Sequence, residues 1–400
     1  MNATPPATPL NIVLDDMDKT KVTIYPFVGY DIPYTNIQVA VSTYAKFGSG
    51  MSIKDMVDNE IPLDYFEKND NDPIDLPPNS VGLYIKADFK GEALIVPKMW
   101  DGKLVRFIGT HSGEIPNNLK RIFFEKDNEV LAICDTLMSS QSQFEYIDFS
   151  ALTKLTWIGP NAFQNCPNLY VPTLPDSITQ IENNAFYECP GVVIKKLPDS
   201  LESLGTSVFQ KCTGLSSLNI NNTKLKIISD STFSGCSNLT IVGETIDCDI
   251  EVIGEKAFEY CESLVLNFED SGSLNPLKEL KYSAFGECNS LSLNNLPNQL
   301  EIIGNAAFIG KSGTNSVINT NIIPMHVKKM DIGAFMFRRL ADKFNGLFII
   351  ENPDIDINEG ALSNFLGVKY ILVPASVDTT VAPWHNKLGA SGAKYITSLD

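Results

Sequence analysis

The stretch Ile181–Leu215, IENNAFYECPGVVIKKLPDSLESLGTSVFQKCTGL, carries the same phrase twice. Ile181, Phe186 and Cys189 return as Leu204, Phe209 and Cys212, each 23 residues later. That interval exceeds any helix or strand period, so it marks a repeating supersecondary unit. Followed outward, the Phe position recurs at Phe163, Phe186, Phe209, Phe233, Phe258, Phe285, Phe308 and Phe335. Five residues before each stands Ile158, Ile181, Leu204, Ile228, Ile253, Leu280, Ile303 or Met330. Three residues after the first six stand Cys166, Cys189, Cys212, Cys236, Cys261 and Cys288, and then Lys311 and Arg338 take that slot. Six residues after Phe stand Leu169, Val192, Leu215, Leu239, Leu264 and Leu291. A degenerate ninth copy has Ile357, Ala361, Leu362, Phe365 and Val368.

A unit of this length cannot bury an apolar side alone, so the copies must stack into a β-rich solenoid. Equivalent side chains then lie about 4.8 Å apart where strands pair, Phe over Phe and Cys over Cys. Cys is small and among the most buried residue types, which suits a ladder position where the chain turns. A zinc or redox site would need paired short spacings such as C-x-x-C, and the sequence has none. Parallel inward side chains also give poor disulfide geometry. The six ladder cysteines are therefore expected to be buried free thiols, with Cys134 and Cys248 off the ladder. Between copies, LPDSITQI (Leu174–Ile181), LPDSLESL (Leu197–Leu204) and LPNQLEII (Leu296–Ile303) read as a bend followed by a short strand. A second short strand is expected near LSSLNI (Leu215–Ile220), and a tight corner or helical turn at each Ala-Phe.

The pattern I-x-x-x-A-F-x-x-C-x-x-L followed by L-P-x-S-L resembles the BspA-like leucine-rich repeats, found in bacterial surface and phage-associated proteins and in some protists. LIVPKMWDGKLVRFIG (Leu94–Gly109) looks like that family's first coil, and VKYILVPASVDTTVAPWHNK (Val368–Lys387) like its last. The likeness covers residues 93–390. It implies a right-handed leucine-rich-repeat superhelix, adhesion or protein recognition, and no catalytic motif. Copies after Phe308 lose Cys and gain insertions, and THSGEIPNN (Thr110–Asn118) replaces the Ala-Phe corner in the first coil, as expected of capping coils.

Residues 1–90 show no repeat. KVTIYPFVGY, NIQVAVSTYAKF and VGLYIKADF read as strands. SIKDMVDNEI reads as a short helix capped by Ser52, and EKNDNDPIDLPPNS as an acidic loop. The expected division is a small N-terminal β-rich attachment or capping domain at 1–90 and a solenoid with a C-terminal cap at 91–400.

The 400 residues carry a net charge of −17, which disfavours nucleic-acid binding. No apolar run reaches 18 residues, so membrane insertion is not expected. The first residues lack a signal peptide's basic start and apolar core, which favours virion or cytoplasm over Sec export. His111, His326 and His385 are far apart, and no nucleophile elbow, zincin, P-loop or dinucleotide fingerprint occurs. No catalytic, cofactor-binding or metal residues are therefore assigned. Asp354, Asp356 and Asn358 have calcium-loop spacing, but Phe365 stands where the bidentate Glu belongs, so a strand with solvent-facing carboxylates is the better reading. Asp70 and Asp72 are no stronger. FMFRRL (Phe335–Leu340) reads as a solvated basic corner. The expected function is non-enzymatic recognition, adhesion or assembly, with a protein or surface glycan as partner. The alternatives are a phage tail, fibre or capsid-decoration component packed on other virion proteins, or a cytoplasmic protist repeat protein. Contact is expected on small polar outward residues such as Ser216, Ser217, Asn219 and Asn294.

Overall fold

The computed structural model describes residues 11–14, 22–25, 79–85, 89, 91–100, 102–110, 115–221, 223–242, 249–266, 276–291, 293, 295–312, 317–378 and 392–398. Asp70, Asp72, His111, Cys248, Asn294, His385 and the helix expected after Ser52 lie outside them. By its contacts the chain divides into two compact units, Met1–Ile178 and Thr179–Asp400.

In the first unit, Asn11–Leu14 and Val22–Tyr25 form an antiparallel pair. Ser80–Ile85 pairs in parallel with Lys103–Thr110, that strand with Ala132–Ile133, and that one with Trp157–Ile158. A second parallel sheet joins Ala93–Val96, Arg121–Phe124 and Tyr146–Ile147, and Tyr146 bridges to Tyr170. One coil is disguised in the sequence. Ile133, Met138 and Phe144 hold the aliphatic, Phe and Leu slots, so Met stands where the next eight copies have Phe. Phe144 nonetheless stacks on Phe163 with centroids 6.1 Å apart and planes 10° apart.

In the second unit, Gln180–Ile181 pairs in parallel with Ser203–Leu204. Ile227–Ile228, Val252–Ile253, Glu279–Leu280, Ile302–Ile303, Lys329–Met330 and Asp356–Ile357 pair in sequence, always in parallel. Two-residue strands suffice because the second residue of each points inward while the first faces out. The second strand expected at Leu215–Ile220 shrinks to single bridges, Lys196 to Asn219 and Leu218 to Ile241. Gly214 and the turn after Cys212 leave too few extended residues for a ladder there. Among the described residues it widens to a paired strand in the C-terminal coils, where Val317–Ile318 pairs with Arg339–Leu340. Among the described residues there is no α-helix, and 3-10 turns include Phe149–Ala151 and Asp342–Phe344. The stacked coils of each unit are β-solenoid.

The core is the repeat turned inward. Phe163 through Phe335 are each fully buried, as are the six ladder cysteines. Phe186, Phe209, Phe233, Phe258, Phe285, Phe308 and Phe335 stack with centroids 5.1–5.7 Å apart. The stack continues to Phe365, which stands in the Cys slot because Leu362 has taken the Phe slot. Replacing Phe209 by Ala removes a ring packed on both faces and is expected to lower stability by roughly 3–5 kcal/mol in urea unfolding. A loss below about 1 kcal/mol would remove Phe209 from the core.

Candidate binding surface

The corner around each Phe determines which atoms can face a partner. Residues two before and two after the Phe adopt left-handed backbone: Asn184 and Glu188, Ser207 and Lys211, Lys256 and Tyr260, Ser283 and Glu287 have φ between 52° and 61°. Most L-residues disfavour that region. Here it turns alternate amides towards the next coil. Ser207, Phe209 and Lys211 donate their N–H groups to the carbonyls of Asp230, Thr232 and Ser234 at 2.9, 2.9 and 2.7 Å. Glycine supplies the same conformation without strain at Gly235, which follows Phe233 at the equivalent position.

This pattern leaves the carbonyl of the Phe itself pointing inward, and the Cys side chain meets it. Cys212, Cys236, Cys261 and Cys288 donate S–H to the carbonyls of Phe186, Phe209, Phe233 and Phe258 at 3.0, 3.0, 3.2 and 2.9 Å. In the first unit Cys166 does the same to Met138 at 2.9 Å. The Phe209 carbonyl also accepts the N–H of Cys212 at 3.0 Å, so both its lone pairs are used. Burial pushes the thiols of Cys166, Cys236 and Cys288 up to about 12, and those of Cys212 and Cys261 well above the usual range. They stay protonated at neutral pH and keep the hydrogen they donate.

Arg338 overturns the reading of Phe335–Leu340 as a solvated corner, for it is fully buried. Lys311, one coil earlier, sits exposed and leaves its Cys slot open. The Arg338 side chain fills that space. Its Nε donates to the Phe308 carbonyl at 2.6 Å, as a Cys would, and Nη1 reaches the Cys288 carbonyl at 2.8 Å. Nη2 lies 3.4 Å from the carbonyls of Phe285 and Ile309. Burial pulls its pKa below the ordinary guanidinium value. Arg339 is the solvated member of the pair, bound to Asp342 at 2.7 Å.

The described Phe-ladder positions are filled by apolar side chains, and short polar side chains line the outside. Ser216 is exposed, and Ser217 and Asn219 are half-buried beside it. Lys195 Nζ lies 3.2 Å from Ser216 Oγ, and Thr240 donates its hydroxyl to the Ser216 carbonyl at 2.6 Å. Short polar side chains held by backbone bonds give a flat, pre-ordered surface. In the first unit the outer side includes an open cleft of about 340 Å³ lined in part by Thr153, Thr173, Asp176 and Ser177.

A second outward column escaped a reading centred on apolar positions. Two residues before the aliphatic slot stand Glu202, Lys226, Glu251, Lys278, Glu301 and Lys328, alternating in sign. Lys278 binds Glu251 and Lys328 binds Glu301, both at 2.7 Å, and Lys226 binds Asp249 at 2.7 Å. These hydrogen bonds hold the Glu251 and Glu301 carboxyls below their usual range and Lys278 above its own. The fixed spacing was visible in the sequence. His326 is exposed, as are Asp354 and Asp356, the latter in the strand Asp356–Ile357. Among the described residues no group of three or more His, Cys, Asp or Glu side chains is placed to hold a metal ion.

Removing the Arg338 side chain should leave a cavity and at least two buried carbonyls unpaired. Arg338→Ala is therefore expected to cost roughly 3–5 kcal/mol, measured by urea unfolding, and Arg338→Cys distinctly less because it restores the bond to Phe308. Equal losses in the two variants would show that hydrogen bonding to the Phe carbonyl is not what the slot requires.

No curated protein sequence matches the chain. Among solved structures it is similar to a leucine-rich repeat protein of T. pallidum, 24% identical over 51% of this chain and 90% of that one, with a TM-score of 0.41. The pneumococcal vaccine antigen PcpA is 15% identical over 81% of this chain and 96% of that one, with a TM-score of 0.41. A leucine-rich cell surface protein of Faecalibacterium prausnitzii is 16% identical over 98% and 99%, with a TM-score of 0.36. A family profile described as "BspA type Leucine rich repeat region (6 copies)" matches residues 132–265 and 266–381, more than half of the sequence. The chain belongs to the BspA-type leucine-rich repeat family.

Proposed function

We propose that this chain is a non-catalytic recognition and adhesion module that engages a protein or a surface glycan through the outward polar face around Ser216 and Asn219. The observation that carries this reading is the division of labour within each coil. Among the described residues the Phe ladder is taken up by packing, and the buried Cys thiols and Arg338 by hydrogen bonds to backbone carbonyls. What faces solvent is a broad array of Ser, Asn, Thr and Lys groups at one repeat's spacing. Such surfaces suit extended macromolecular contacts better than a small cofactor, which needs a concave and mostly apolar site. In this reading residues 1–90 serve attachment or capping, and recognition belongs to 91–400.

Binding of the labelled chain to a printed glycan array and to a panel of immobilised extracellular proteins tests the proposal. Ser216→Arg with Asn219→Arg should weaken the captured contact at least about 10-fold while leaving the unfolding midpoint unchanged, as a central interface position would. A chain starting at residue 79, which keeps the strand Ser80–Ile85, should bind as the whole chain does. Binding that ignores the double substitution, or that is lost with residues 1–78, would contradict the assignment.

A further inference from the structure

We infer that the C-terminal sheet of the second unit presents a docking face for a second copy of this chain. This sheet is four-stranded and parallel, made of Ile322–Ile323, Leu347–Ile350, Tyr370–Leu372 and Lys394–Ile396. Its inward residues Ile323, Phe348, Ile350 and Ile371 are fully buried. Its outward residues are also apolar. Ile322, Ile349, Leu372 and Ile396 are successive register partners in one outward column, and Leu347 and Tyr370 lead a second column to Lys394. Ile322 is 38% and Tyr370 43% exposed. A strand that packs on one face only should alternate apolar and polar. The other long sheet of this unit mixes the two, with Ile227, Val252 and Ile302 among Glu279, Lys329 and Asp356 in its outward column. The four-residue column of the C-terminal sheet holds aliphatic residues alone, in a chain of net charge −17.

Charge at the two ends of the sheet argues for a second copy as the occupant. Lys369 and Lys394 stand exposed at the starts of their strands. Glu351 follows the end of its strand, half-buried, with one oxygen accepting the Met325 N–H at 3.1 Å. A two-fold axis across the strands stacks two such faces with strands antiparallel and brings the lysines of one copy to the Glu351 end of the other. An axis along the strands would set lysine against lysine. Face-to-face sheets pack about 10 Å apart, close enough for the aliphatic columns to interdigitate. The face is small by the standard of permanent dimers, so association is reversible.

Sedimentation velocity on the full chain between about 1 and 500 µM reads this directly, a range that spans micromolar to sub-millimolar dissociation constants. A monomer–dimer equilibrium is expected, and Leu372→Asp should weaken it at least about 10-fold with an unchanged circular dichroism spectrum. Lys369→Glu should weaken it as well, and Lys369→Glu combined with Glu351→Lys should restore it, which also decides the matter should Leu372→Asp fail to fold. A wild-type chain that stays monomeric throughout overturns the inference. So does a dimer indifferent to Leu372→Asp, or one that forms only in a chain lacking residues 1–78, which would make that segment the occupant.

Discussion

One backbone carbonyl per coil governs this structure. The corner at each Phe directs its other amides along the stack, and the carbonyl of the Phe is left facing the interior. A buried carbonyl with an unused lone pair is unfavourable, by an amount comparable to a lost hydrogen bond. The chain answers with a thiol from the next coil. Cys is the residue for which this answer disturbs the packing least, being small, apolar in behaviour and a weak donor. Each coil thus completes its neighbour. The Phe rings supply buried area, and the thiols fix the spacing at which the rings meet.

Arg338 shows the same constraint met by other means. Where Lys311 turns out to solvent, the interior loses a donor and gains a void, and one guanidinium supplies both volume and hydrogen bonds. Its partners are all carbonyl oxygens, which is the arrangement a buried cation needs when no carboxylate is at hand. At Arg338 the loss of Cys is therefore a substitution of one donor for another. Phe365 ends the series, filling the last slot with a ring where no donor is supplied.

The fold was legible because its core repeats in the sequence at fixed offsets, from Ile158 and Phe163 to Met330 and Phe335. The coil at Ile133–Phe144 was not, because Met138 and Phe144 exchange the expected residue types while keeping the volume. Nor was the burial of Arg338. Two adjacent arginines look equally solvated until the space vacated by Lys311 is seen, and that space is a property of the stack rather than of any local pattern. The Glu–Lys column from Glu202 to Lys328 was readable at its fixed spacing. Of the polar surface, Ser216 and Asn219 could be placed as outward from the alternation alone, whereas Lys195 and Thr240 join them only through contacts between coils. What a surface binds is written less clearly than what a core packs, since many small polar residues satisfy solvent equally well.

The central claim is that the ladder thiols are hydrogen-bonded to Phe-slot carbonyls, and the S–H stretching band in the Raman spectrum reads this most directly. In the native protein the account predicts a band dominated by hydrogen-bonded, water-excluded thiols, insensitive to brief exposure to deuterated solvent. On unfolding, the band should move and exchange at once. A native spectrum dominated by free S–H groups, or one that exchanges as fast as the unfolded chain, would contradict the account.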